Sequence, residues 1–311
     1  MLALSICLAL MAALGNAAAS VLQRRAAADA GPERPAGGPQ GGGPRTGRRV
    51  HRPARRGPGA GWWPRLVRRR VWVWGAVMLA VSGIFQALAL ATGPLAVVQP
   101  VMSTELLFTL VLGGVVFRRR PDTRTWWAFA AMAGGLAAFL ALAEPKGGRA
   151  TVPAADWLWA GGVIGAAVLV LIGVATRLTA APKAAVLGTA TAMGFSCTAA
   201  LLKDALGRVE AGVGAVFGAW QLYAAVAVGL ASFVLLQVTF RAGTLVASQP
   251  ALTLGDALLS VVLGVALFEE RVAQGPRAVL AGMAVGVLVV ACAQLARSPL
   301  VTAGDDGESA W

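Results

Sequence analysis

Apolar positions in this chain gather into nine blocks of roughly 20 residues, the length that carries an α-helix across about 30 Å of hydrocarbon. The blocks cover 2–23, 71–92, 94–117, 126–143, 156–176, 184–202, 212–240, 244–268 and 278–295. Tryptophans stand where several begin: Trp72 and Trp74, Trp126 and Trp127, Trp157 and Trp159. That placement suits the aromatic belt at a membrane–water interface. The pattern predicts an all-α polytopic membrane protein with nine transmembrane helices. It divides the chain into a first span at 1–23, a polar loop at 24–70, spans two to four at 71–143, a connecting fifth span at 156–176, spans six to nine at 184–296, and a tail at 297–311. The first block has no basic residue ahead of it, so it reads as a retained span and not as a signal peptide. The seventh is long enough to tilt.

The blocks repeat. Residues 91–117 read ATGPLAVVQPVMSTELLFTLVLGGVVF, and 241–267 read RAGTLVASQPALTLGDALLSVVLGVAL. A shift of 150 positions puts Gly93 on Gly243, Leu95 on Leu245, Gln99 on Gln249, Pro100 on Pro250 and Gly114 on Gly264. Each copy carries an acid inside the span, Glu105 in the first and Asp256, one position further on, in the second. The first span echoes the sixth, with Gly15 on Gly194, Leu22 on Leu201, Arg24 on Lys203 and Ala26 on Ala205. Spans 1–4 and 6–9 therefore form two repeats. The single fifth span between them turns the second upside down. Inverted repeats admit two near-equivalent packings, one open to each side of a membrane.

Composition agrees with the pattern: 57% of residues are hydrophobic and only 13% charged, against about a quarter charged in a soluble domain. The net charge of +13 would suggest nucleic acid in a soluble protein. Here the basic residues lie between spans and set orientation. Lys146, Arg149, Lys203, Arg208, Arg271 and Arg277 fall on one side, and the other 21 of 27 on the opposite side, which is thereby cytoplasmic. The N-terminus is then outside and the C-terminus inside. The 24–70 loop, rich in Arg, Gly and Pro, has almost nothing to bury and is expected to be disordered. It serves either as a topology-fixing loop or as an adhesive to anionic lipid headgroups. Cys7, Cys197 and Cys292 lie inside apolar blocks, as small core residues do. His51, the only histidine, lies in the polar loop, which excludes histidine-cluster metal sites and histidine-based catalysis.

The stretch GPLAVVQP at 93–100, the span ends Phe117-Arg118-Arg119-Arg120 and Phe268-Glu269-Glu270-Arg271, and the glycine-rich spans that follow them resemble the EamA-like permeases of the drug/metabolite transporter superfamily. Nine spans, a basic loop after the first, and SCTAALLKDALG at 196–207 are closest in layout to the NIPA-like magnesium transporter branch. The resemblance covers most of the chain outside 24–70 and implies a membrane transporter. Two departures stand out: the chain lacks one helix of the ten-helix members, and Arg118–Arg120 replace the acid of the family turn at the end of the third span.

Candidate chemistry centres on Glu105 and Asp256. A carboxylate at the bilayer centre costs about 2.5 kcal/mol or more on insertion scales, so something must offset it. Two acids from opposed repeats, with Gln and Ser oxygens, suit a hard divalent cation such as magnesium. They equally suit protons in an antiporter, or protonated carboxyls bonded to neighbouring helices. Gln99 and Gln249 precede Pro100 and Pro250, and a proline frees the carbonyl one turn earlier, at Ala96 and Val246. Those oxygens are cation or substrate ligands on one reading and mere kinks on the other. Gln86 and Gln237 are candidates to line a pathway. Other intramembrane polar residues, among them Asn16, Ser82, Ser103, Ser196, Gln221 and Ser232, are expected to bond helix to helix for about 0.6 kcal/mol each. Lys203 and Asp204 read as a helix-end ion pair at the outer interface. Gly161-x-x-x-Gly165 and Gly282-x-x-x-Gly286 permit close helix approach, within the bundle or, in the ninth span, between copies in a homo-oligomer.

These features point to a secondary transporter in a bacterial plasma membrane, moving a small polar or cationic solute with magnesium as the sharpest specific candidate. The alternative is a non-transporting membrane scaffold or flippase accessory subunit. No phosphate-binding loop, metal-ligand spacing or nucleophile–base pair marks the spans, so neither an enzyme nor a cofactor is expected. The expected partners are the lipid bilayer and the solute; nucleic acid is not among them.

Overall fold

A computed structural model describes residues 2–28, 70–116, 123–144, 147–242 and 245–296. The loop expected at 24–70, the basic cluster at 118–120 and the 297–311 tail lie almost wholly outside them. The described residues form helices α1 (Leu2–Ala28), α2 (Arg70–Thr92), α3 (Leu95–Met102), α4 (Glu105–Val116), α5 (Thr123–Ala143), α6 (Ala154–Ala175), α7 (Ala180–Leu206), the short α8 (Val213–Phe217), α9 (Trp220–Ala242), α10 (Leu245–Phe268) and α11 (Pro276–Ala296). Eight helical stretches among them are long and apolar enough to cross a membrane. The ninth predicted span corresponds to α11, whose described apolar stretch, Pro276–Ala291, is shorter.

This is an integral membrane protein, and its apolar surface shows where lipid lies. Trp159, Val163, Leu169 and Val170 on α6, and Val226, Leu230, Phe233 and Val234 on α9, are all exposed. An α-helix satisfies its own backbone in hydrocarbon, and all of these surfaces are helical.

The core sits on α3. All eight of its residues are buried, and it packs among α1, α7 and α10. Around it α1 pairs with α2, α3 and α4, while α7 pairs with α9 and α10. α5 crosses α11, where a Cβ on Gly135 would meet Leu288 Cγ at 3.1 Å and the Ala284 carbonyl at 3.3 Å.

One end of the bundle collects the ends of most helices. Ser5 near the start of α1 lies against Gly93 between α2 and α3. Ala273 N, before α11, bonds the Ala143 carbonyl that ends α5. Trp157 near the start of α6 donates to Asp204 near the end of α7, and so does Gln221 at the start of α9. Arg149 N, ahead of α6, bonds the carbonyl of Phe268 at the end of α10. The long helices therefore alternate in direction along the chain.

Two expected spans are broken. The third, predicted as one helix over 94–117, divides at Ser103–Thr104, where Thr104 N bonds Val101 O and Leu106 N bonds Ser103 O in tightened turns. The Thr104 hydroxyl also turns back to Val101 O at 2.7 Å. Pro100 alone does not explain the break, since α10 runs unbroken through Pro250. The seventh, predicted as one tilted helix over 212–240, is instead α8 followed by α9, interrupted at Gly218–Ala219. Hydropathy cannot register this interruption, because the residues on both sides are apolar.

Candidate functional site

Glu105 opens α4, where the helix dipole favours a negative side chain. α1 and α2 supply its partner. Ser82 Oγ lies 2.7 Å from the Ala12 carbonyl and 2.8 Å from Asn16 Oδ1. That contact turns the Asn16 amide so that Nδ2 donates to Glu105 Oε2 at 3.1 Å. α1 and α2 come close enough for this because residue 15 is glycine: a Cβ there would stand 3.0 Å from Ser82 Cβ.

Asp256 lies within α10, and Ser196 Oγ of α7 donates to its Oδ1 at 2.7 Å. The third helix of this group is α9, where Ser232 packs against Gly194 so closely that a Cβ on Gly194 would collide with its hydroxyl. The 150-residue shift that relates the two QP segments also carries Ser82 onto Ser232. Each acid therefore sits in a three-helix group with one glycine–serine crossing. The hydrogen bonds hold Glu105 to α1 and Asp256 to α7. Among the described residues no three His, Cys, Asp or Glu side chains come together in a metal-binding group.

Gln99 is buried on α3, and its Nε2 has no hydrogen-bond partner among the described residues. One residue on, Pro100 joins Ser103 of the α3–α4 break in lining a small apolar pocket shared with Met132 of α5, Thr253 and Ala257 of α10, and Val285 of α11. Ser260, one turn beyond Ala257, is fully buried and its hydroxyl is likewise unpartnered. Gly264, a further turn along, lies against Ala96 N. Thus Ala96 and Pro100 on α3, with Ser103 at the break, lie against Thr253, Ala257 and Gly264 on α10, and the same two helices carry the unsatisfied polar side chains of Gln99 and Ser260. Gln86 is half-buried on α2, and Gln237 is exposed on α9. Gln249 and Pro250 lie in the first turns of α10, with side chains outside the described residues.

Lys203 and Asp204 do not pair with each other as expected. They are consecutive on a helix, so their side chains diverge. Asp204, wholly buried, accepts from Trp157 Nε1 at 2.6 Å, Gln221 Nε2 at 3.0 Å and Val152 N at 3.2 Å, with Arg208 at 3.3 Å. It ties α6, α7 and α9 at one end of the bundle. Lys203 points the other way. Its Nζ donates to the Gly93 carbonyl at 2.8 Å and to Glu270 Oε1 at 2.9 Å, above the Phe268 ring.

Glu270, only 2% exposed, is the functional candidate that sequence reasoning passed over. Its Oε1 and Oε2 accept from Leu95 N at 2.6 Å and Ala96 N at 2.9 Å, the free amides that open α3. Two glycines make room. A Cβ on Gly264 would collide with Oε2, and one on Gly148, at φ +102°, would come within 2.9 Å of Glu270 Cγ. Glu269 adopts left-handed backbone at φ +55°, ending α10. A signal was present in the sequence: an acid two residues past a long apolar helix, opposite a helix start that lacks a capping side chain.

No protein-family model matches the chain. No solved structure matches it. Among curated proteins it is similar to an uncharacterized protein of Corynebacterium glutamicum, 28% identical over 239 residues that make up 74% of this chain and 81% of that protein.

Proposed function

We propose that this membrane protein is a secondary transporter for a small polar or cationic solute, working by rocking one four-span unit against the other. The observation that carries the reading is the matched pair of half-buried acids, Glu105 bonded to α1 and Asp256 bonded to α7, together with unsatisfied buried polar groups on α3 and α10. Intramembrane carboxylates are costly and mark ion or substrate paths, and a broken helix between opposed repeats is where such paths lie. The opposed directions of α1 and α7, and of α3–α4 and α10, support an inverted repeat. In this reading the layout is that of the drug/metabolite transporter superfamily, with the N-terminus outside.

Magnesium is the first solute to test. Its octahedral shell keeps several waters and needs only one or two carboxylates from the protein, which suits two acids in separate networks better than a dedicated cage. The test is magnesium uptake into proteoliposomes. Saturable uptake that collapses in Glu105→Gln supports the cation reading. No uptake by folded wild-type protein removes magnesium as the solute, and organic cations under a pH gradient follow. The scaffold reading has one observation in its favour: Gly282 and Gly286 face open space on α11. A scaffold would work unaltered with Glu105→Gln and Asp256→Asn and fail when those glycines are enlarged.

A further inference from the structure

We infer that Lys203 and Glu270 form a gate: a clamp that closes one end of the bundle by gripping the start of α3 and must release it for that end to open. The inference rests on the transporter reading and says where its movement begins. The clamp joins the two halves through main chain on one side and side chain on the other. From the first half come the Gly93 carbonyl and the Leu95 and Ala96 amides, while the second half supplies the Lys203 ammonium and the Glu270 carboxylate.

Three features make it a gate and not merely a packing contact. All its bonds are charge-assisted, and three of the four run through Glu270, which bonds both the amides and the lysine. Losing one partner leaves the other charged and buried, so the arrangement is either fully made or opened to water. And the sequence supplies its charges in one repeat only. The repeat alignment puts Arg24 at the place of Lys203, and Arg120 at the place of Glu270. Two like charges there cannot form the same clamp. An inverted repeat with a lock at a single end has a preferred resting state, closed at the Lys203 end, which charge asymmetry assigns to the outside. Gly264 adds to the case, since its missing side chain is what lets Glu270 reach the seam between α3 and α10.

The test reads opening directly, without a known solute. Leu95, wholly buried beside the clamp, is changed to Cys in a chain whose three native cysteines are replaced, and reconstituted protein is exposed to a membrane-impermeant thiol reagent. Glu270→Gln, or the milder Gly264→Ala that wedges the carboxylate aside, should raise the labelling rate about tenfold or more, the effect of losing a hydrogen bond to a charged group. Unchanged labelling in variants that remain folded overturns the gate. Hydrogen exchange on the unaltered protein gives a second measure free of folding losses. The Leu95 and Ala96 amides should exchange through a local opening well ahead of the α7 core at Ala199–Leu201. Exchange of both segments only in global unfolding also overturns the gate. Flux is assayed separately. Labelling that responds in a protein inert toward every solute refutes the transporter reading and leaves the opening clamp intact, whereas flux with unresponsive labelling refutes the gate alone.

Discussion

At the scale of single residues, the buried polar groups divide by what satisfies them. Asp204 is saturated: amide, indole and carboxamide donors and a guanidinium surround it, and removing the acceptor would strand them. Asp204→Ala should therefore destabilise the folded protein by about 3–5 kcal/mol, the cost of breaking a buried charged network, measured as thermal unfolding in detergent. Gln99 stands at the other extreme, with a buried amide nitrogen unpartnered. An unmade buried hydrogen bond costs about 1–3 kcal/mol, so Gln99→Leu should raise stability while lowering flux. If unfolding temperature and flux fall together, Gln99 is structural. That Glu105 and Asp256 sit within membrane-length helices could be read from the sequence, since each lies inside an apolar block. Their partners could not. Sequence order brought Lys203 and Asp204 together, and only the α7 surface shows that they face different neighbours.

At the scale of helices, glycines decide who packs on whom. Gly194 and Gly282 both sit on apolar helices, yet Gly194 is pressed against Ser232 and Gly282 has open space before it. Gly194→Ala should cost about 1–3 kcal/mol through overpacking. Gly282→Ala should change stability by less than about 0.5 kcal/mol, as surface substitutions do. Unfolding curves for the two variants settle the comparison, and equal losses would mean that α11 packs on something beyond this chain. The apolar blocks located the helices to within a few residues, as 156–176 against Ala154–Ala175 shows. Breaks inside the blocks escaped notice because they arise from hydroxyl back-bonding at Thr104 and from Gly218, neither of which alters hydropathy.

At the scale of the molecule, a 150-residue shift relates the two QP segments in the sequence, and helix pairing has a similar pattern in the two parts of the chain. α1 with α2 and α4 has its counterpart in α7 with α9 and α10. What a repeat cannot reveal is its own asymmetry. Pro100 and Pro250 are equivalent in sequence, but only the first copy breaks into two helices. Glu270 and Arg120 are equivalent too, and only the acid can hold a helix start. Function in this account depends on the two halves being alike enough to exchange roles and different enough to prefer one state.

That exchange is the central claim, and the α3–α4 break is where to look for it. Ser103 lines the pocket between the halves. Ser103→Cys, in a chain without its native cysteines, is reacted with a membrane-impermeant thiol reagent applied to one side of sealed vesicles and then to the other. Alternating access predicts labelling from either side. Labelling from one side only, or from neither, would contradict it and leave a static membrane scaffold.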